Sequence, residues 1–247
     1  MDWAKAKTIM IVALLATNLI LLLSYGVIQN PALQKNNDQY LIETMNLLEK
    51  NKIFVNTAIP EHNGKMPVLF VKYDQTVDEK EKLREALNSQ IRKQGNEDPA
   101  LDARNQAEQV LVELGWMDQS VVFSEIKKEG NGYQIHYRNQ IDNLPLEEST
   151  LDVTVVRGRV TEVDRSWLLP LGYGEGKKEI MPAATALLKL INEKDPDERI
   201  EVEEIQLVYW LDPAGFGAEN TVSDTAFPAW KITNAKGETR YYNAYQE

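Results

Sequence analysis

Cysteine does not occur in this chain of 247 residues, and histidine occurs only twice, at His62 and His136. The first absence excludes disulfide bridges, thiol chemistry and a lipoprotein-type anchor, which needs a cysteine to acylate. It fits an exported protein from an organism that does not rely on disulfides. His62 sits beside the turn signal Asn63-Gly64, and His136 lies in a strand between Ile135 and Tyr137. With no HExxH and no paired-histidine spacing, a metal site is not expected. GxSxG is also absent, which removes the nucleophile elbow. Gly172-Tyr173-Gly174-Glu175-Gly176-Lys177 lacks the Gly-Lys-Ser/Thr ending of a phosphate loop and carries an acid where phosphate would lie. It reads as a flexible loop between two units.

Positive charge is scarce. Lysine and arginine number 27 against 38 acidic residues; setting aside Asp2, Lys5 and Lys7 leaves 25 against 37, a balance of −12 for the remainder. That balance argues against nucleic acid, anionic headgroups and polyanionic wall polymers as partners.

What is present is one long apolar run. Thr8 to Ile28 carries no charge, and at about 1.5 Å per residue it reaches roughly 30 Å, a bilayer core. A cleaved signal peptide has a shorter apolar region, about 7–15 residues, followed by a small-x-small site. Here Ala13 and Ala16 lie in mid-span and the exit through Tyr25 to Pro31 offers no good site. A retained signal-anchor is the reading, with cleavage as its competitor. Lys5 and Lys7 place the N-terminus in the cytoplasm, with Trp3 and Tyr25 at the interfaces. The expected division is a cytoplasmic tail (1–7), a transmembrane helix (8–28) and two extracytoplasmic units (29–169 and 170–247).

Ala6, Ala13, Thr17 and Ser24 fall within about 40° of one another at 100° per residue, a stripe of small side chains that lets helices approach in lipid. Asn18 points about 100° away, where its amide seeks a partner. Ala13, Thr17, Asn18 and Ser24 are therefore candidate partner-binding residues. The plainer alternative is that Ala and Thr are ordinary membrane-helix residues and Asn18 bonds to its own backbone.

Gln29–Asp38 reads as a short stalk, followed by an amphipathic helix through Tyr40, Leu41, Met45, Leu47 and Leu48. Strands are expected at Ile53–Ile59 and Pro67–Tyr73, with Asn63-Gly64 as the turn between them. Helices are expected over Asp78–Lys93 and Asp102–Leu114. Four strands follow: Val121–Lys128, Tyr133–Asn139, Glu148–Arg157 and Arg159–Trp167, with Arg157-Gly158 as a hairpin turn. A further helix, Pro182–Glu193, leads into Ile200–Leu211, Pro228–Asn234 and Thr239–Ala244. Helix then antiparallel meander, twice, predicts an α+β fold of two small units, each laying a helix on a sheet.

Carboxylates are plentiful: Glu147 and Glu148, Asp195 and Asp197, then Glu201, Glu203 and Glu204. A glycosidase needs two facing across a cleft, whereas most of these fall in turns or on solvent faces. Asp195-Pro196-Asp197-Glu198 lacks calcium-loop spacing. Trp210, Trp230, Tyr241, Tyr242 and Tyr245 could line a sugar surface but read better as cross-strand aromatic pairs. No catalytic constellation emerges, and no cofactor is expected.

The opening Met1-Asp2-Trp3-Ala4-Lys5-Ala6-Lys7-Thr8-Ile9 resembles the MDW-x-K-x-KTI start of the YycI family. Asn143-Leu144-Pro145-Leu146 through Gly158-Arg159-Val160 is similar to it as well. So are Glu179-Ile180-Met181-Pro182-Ala183-Ala184, Leu207-Val208-Tyr209-Trp210, Pro228-Ala229-Trp230-Lys231-Ile232 and Tyr241-Tyr242-Asn243-Ala244-Tyr245. The likeness covers the anchor and most of the chain from Tyr137 onward. It implies one membrane helix and an extracytoplasmic α+β part resembling domains of a companion, YycH. It further implies a non-enzymatic regulator of the sensor histidine kinase YycG (WalK), which governs cell-wall homeostasis in low-GC Gram-positive bacteria. The implied partners are that kinase, a YycH-like protein and the membrane. Two other readings stay open. The final strand pair, with Trp230 and Tyr242, looks similar to PepSY-type binding or inhibitory modules, and an envelope hydrolase would use an unidentified carboxylate pair.

Overall fold

The computed structural model describes residues 14, 17, 18, 31–62, 64–74, 79–89, 98–211 and 224–246. The chain divides into two units, Met1–Ile53 and Phe54–Glu247. In the first, helix α1 runs Pro31–Lys50. The expected stalk is therefore helical from Pro31 on. Proline suits the first helical turn, where its missing N–H has no partner to lose and its φ is already helical. Thr44 and Leu48, one turn apart, are buried, while Ile42 and Leu47 face outward. Asn51 ends the helix, its Nδ2 donating to Leu47 O at 2.8 Å.

Most of Thr8–Ile28 lies outside the described residues; of it, Leu14, Thr17 and Asn18 are helical and exposed. Among the described residues no helix is long and apolar enough to cross a membrane.

The second unit is built on one sheet, part of a ten-stranded array in the order β3-β4-β5-β8-β9-β2-β7, with β6 on β5 and β10 on β9. Its strands are β2 (Lys65–Tyr73), β3 (Val121–Glu129), β4 (Gly132–Ile141), β5 (Leu144–Val156), β6 (Arg159–Ser166), β7 (Leu168–Glu179), β8 (Ile200–Trp210), β9 (Asp224–Asn234) and β10 (Thr239–Asn243). β1 (Ile53–Val55) straddles the division between units. The expected hairpin across Asn63-Gly64 does not form. Asn56 N donates to Val202 O at 2.9 Å, and β2 pairs with β7 and β9.

Helix α2 covers Glu79–Ser89, and α3 covers Pro99–Glu113. Asp98 caps α3, its Oδ1 accepting from Ala100 N at 2.9 Å and Leu101 N at 3.4 Å, with Pro99 in the first turn. Gly115, at φ +72°, ends it. Trp116 N reaches back to Leu111 O and Gly115 N to Val112 O, the paired bonds of a left-handed helix stop. The buried side of α3 (Ala103, Ala107, Val110, Leu111) packs onto Ile135, Tyr137, Leu151, Val153, Val155 and Trp167. That core is why the alternating Thr150–Val155 stretch keeps its register: its apolar positions all face one helix.

Helix α4 (Ala183–Glu193) lies against β9 and buries Ala183, Ala184, Ala186, Leu187 and Leu190. Trp230, fully buried, donates from Nε1 to Met181 O at 2.9 Å. Tyr242 is opposite it in register and bonds Glu193 Oε2 at 2.6 Å.

The glycine-rich stretch 172–177 is a second correction. It lies within β7, where Gly172, Tyr173 and Lys177 pair with β2 and residues 174–176 are taken up by a register shift, and is not a loop. Local propensity disfavours a strand there, but tertiary pairing overrides it. Gly174 fits because a Cβ would come within 2.5 Å of Val68 Cγ2. Gly172, at φ +146°, sits where the register shifts. Position 170 thus falls inside β7, within the unit Phe54–Glu247.

Candidate functional site

The two helix-bearing parts of the sheet meet where β5 and β8 share one parallel pair, Leu146–Tyr209. Immediately after it β5 departs from its ladder. Asn139 of β4 faces Leu146 and Arg138 faces Thr150, so residues 147–149 have no partners across β4. Glu148 adopts φ +61° within this bulge, a left-handed conformation that side chains other than glycine resist. The bulge is held by polar contacts. Ser149 Oγ receives Asn139 Nδ2 at 3.1 Å and Leu168 N at 3.0 Å. Asn139 Nδ2 also donates to Leu168 O at 2.8 Å, and Ser166 Oγ donates to Glu148 O at 3.2 Å.

The detour carries the Glu147 carboxylate to Lys231, in the middle of β9. Lys231 Nζ lies 3.2 Å from Oε1 and 3.4 Å from Oε2, and Tyr241 donates to Oε2 at 2.6 Å. The lysine and glutamate side chains are only 8% and 12% exposed. Trp210 stacks on Tyr241, ring centres 5.3 Å apart and planes 4° from parallel. Burial, then the bond to Glu147, raises the Tyr241 phenol above its ordinary range, so it serves as a neutral donor. Glu148 is exposed as a residue, yet its carboxyl is crowded by protein. Desolvation first, and the charge of Glu147, push it up to about 7 against the lowering effects of the Leu211 backbone and Lys231.

This arrangement binds charge in place. Glu147 is occupied by Lys231 and Tyr241, and Glu148 is its sequence neighbour on the same bulge, not a partner across a cleft. The other carboxylates are dispersed: Glu201 pairs with Arg199 at 2.7 Å, Glu204 meets Thr233 at 3.5 Å, and Asp195 and Asp197 lie in the exposed turn after α4. His136 pairs with Asp152 at 2.6 Å across β4 and β5, while His62 lies in a loop. Among the described residues no group of three His, Cys, Asp or Glu side chains could hold a metal ion.

The aromatic residues do not make one platform. Tyr241 and Tyr242 are adjacent in β10 and so point to opposite faces; Trp230 and Tyr242 lie under α4, Trp210 and Tyr241 on the other side. Tyr245 sits instead beneath Lys178, 5.3 Å from the ring centre. Of the candidate residues in the apolar run, Thr17 and Asn18 are exposed helical positions, and Ala13 and Ser24 lie outside the described residues. Sequence reading singled out Glu147 and Glu148 but missed Lys231. Its signal was present: a lysine between tryptophan and isoleucine in an apolar strand, where a charge survives only with a partner.

A family profile described as YycI protein matches residues 31–245. No curated protein matches the sequence. Among solved structures the chain is similar to the Bacillus megaterium YpeB C-terminal domain, at 14% identity and a TM-score of 0.38. That match covers 63% of this chain and 65% of the other, just under two thirds of it. The profile spans most of the chain, and the chain therefore belongs to the YycI family, a regulatory family linked to the YycG (WalK) two-component system.

Proposed function

We propose that this protein is a membrane-anchored, non-enzymatic regulator of a YycG (WalK)-like sensor histidine kinase, acting with a YycH-like partner through contacts between membrane helices. Family membership supports the kinase system, and the uncharged run Thr8–Ile28 supports the anchor. The run carries the reading, because it is long enough to span and holds two distinct faces: the small stripe through Ala13, Thr17 and Ser24, and the amide of Asn18. A helix with two neighbours uses both. A regulator so placed biases a bistable bundle through its differential affinity for the two states. In this reading residues from 29 on lie outside the cell membrane and supply assembly or a sensed input.

The test is co-purification of tagged full-length protein from its own membranes in mild detergent, beside a version whose Thr8–Ile28 is replaced by an unrelated span. Kinase recovered with the native span and lost with the replacement is the expected result. Equal recovery with both would make the span a tether and place the contact in the exported part. Recovery with neither favours an exported PepSY-like binding module instead. Asn18→Leu and Thr17→Leu separate the two faces; unchanged association in both variants removes the two-neighbour arrangement.

A further inference from the structure

Strand β4 has an irregular neighbour on each side at residues 136–140. On one edge β3 steps over Ser124, since Phe123 faces Tyr137 and Glu125 faces His136. On the other edge β5 steps over residues 147–149. Bulges interrupt pairing and re-aim side chains, and they gather beside binding sites. Between these two a cavity of about 160 Å³ opens to solvent, lined by Val122, Phe123, Ser124, Arg138, Pro145 and Gln206 among others. At about 30 Å³ per water it has room for on the order of five waters. That is the bulk of a small metabolite and too little for a nucleotide.

Three lining groups have unmet bonding capacity. Gln206 Oε1 and Asn139 Oδ1 are buried and accept no hydrogen bond. Arg138 makes no hydrogen bond or ion pair among the described residues, unlike Lys231, which lies directly opposite Gln206 in register and is taken up by Glu147. The Arg138 guanidinium, whose charge is felt by Glu125 and Tyr241, is a planar fork matched to a carboxylate. A buried amide oxygen needs an N–H or O–H donor. The remaining wall is mixed: Val122 and Pro145 are apolar, Ser124 and Gln140 are polar, and the Phe123 ring is turned to the α3 side, edge-on to Tyr137 and under Arg104.

We propose that this cavity binds a small α-amino acid, with its carboxylate on Arg138, its ammonium donating to Gln206 Oε1 and its side chain against Val122 and Pro145. An α-hydroxy acid offers the same carboxylate and an adjacent donor, but it is a net anion. A chain of formal net charge −11 repels it, whereas the zwitterion carries no net charge. This assignment does not depend on the membrane span or on a kinase.

The test is calorimetric titration of the full-length protein in detergent with L-valine, L-valinamide and 2-hydroxyisovalerate, with saturation-transfer NMR to identify the bound groups. Valine is expected to bind in the millimolar range or tighter. Valinamide, which lacks the carboxylate, and the hydroxy acid should each bind about tenfold more weakly or worse, the loss of one charge-assisted contact. Arg138→Gln and Gln206→Leu should each weaken valine about tenfold while leaving the unfolding transition in place. If one variant does not fold, the other carries the comparison together with the wild-type series. Absence of valine binding, equal affinity for valine and valinamide, or unchanged binding in the folded variants overturns the site. Tighter binding of 2-hydroxyisovalerate overturns the amino-acid assignment in favour of an organic anion.

Discussion

Lys231 and Glu147 show how a charge enters a sheet interior. Each side chain loses most of its water, a cost that mutual attraction offsets only with good geometry and filled hydrogen-bonding positions. Here the Tyr241 hydroxyl fills one of them. Lys231→Met removes the counter-charge and strands Glu147, so it should cost about 3–5 kcal/mol. Adding Glu147→Gln should return part of that loss; denaturant midpoints for the two single variants and the double measure it, and a double variant weaker than Lys231→Met alone would contradict the pairing. Glu148 behaves differently. Its folded pKa, about 7, stands above the ordinary 4.5, so the folded chain keeps a proton that the unfolded chain has lost between those values. The stabilisation is therefore complete below about pH 4.5 and is lost as pH rises to about 7. Glu148→Gln should flatten the stability profile across that window and gain on the wild type above it. Glu148→Gly should do so too and add about 1 kcal/mol by relieving the left-handed backbone. Urea midpoints followed from acid to neutral pH decide whether the slope resides there.

At the level of elements, the end of α3 and the strands β3, β4 and β6 were legible because local and global signals agree: Gly115 closes the helix, and Arg157-Gly158 forms a turn with φ +53° and +74°. The start of α3 was read three residues late, at Asp102, because the Asp98 cap and Pro99 were not read as a helix opening. The rest of what was not legible depended on distant partners. The three glycines of 172–177 read as a loop because nothing in their neighbourhood reveals that β2 will pair with them. The β5 bulge was hidden for the same reason: Glu147-Glu148-Ser149 looks like ordinary strand until Asn139 and Leu168 are seen to hold it. Close approaches of this kind yield an ordered prediction. A Cβ at Gly132 would lie 2.5 Å from the Val155 carbonyl oxygen, whereas one at Gly174 would meet the side-chain carbon Val68 Cγ2 at the same distance. Backbone cannot rotate away, so Gly132→Ala forces β4 from β5. Gly132→Ala should cost about 1–3 kcal/mol and exceed Gly174→Ala; thermal denaturation of the two variants gives the order directly, and the reverse order would show that β7 is the stiffer contact.

At the scale of the whole molecule, helix followed by meander occurs twice in the second unit, yet the strands run on into one sheet. The parallel pair Leu146–Tyr209 is a narrow join. Two polar ties reinforce it: Lys231 of β9 on Glu147 of β5, and Asn139 and Ser149 on the first residue of β7. Because β7 then crosses to pair with β2, the second tie links β4 and β5 to the far end of the sheet through a covalent strand. Unfolding either part alone would leave Glu147 or Lys231 buried without its partner and would expose the edge of β5 or β8. The two parts should therefore unfold together. Tryptophan supplies the reporters, Trp116 and Trp167 beside α3, Trp210 and Trp230 on β8 and β9. Variants keeping one of these indoles at a time should show coincident urea transitions by fluorescence, matching the loss of far-ultraviolet circular dichroism. In the Lys231→Met background the Trp116 and Trp230 transitions should move apart, because the charged tie is the one removed. Separate transitions in the otherwise unaltered chain would mean that the continuous sheet joins two independently stable halves.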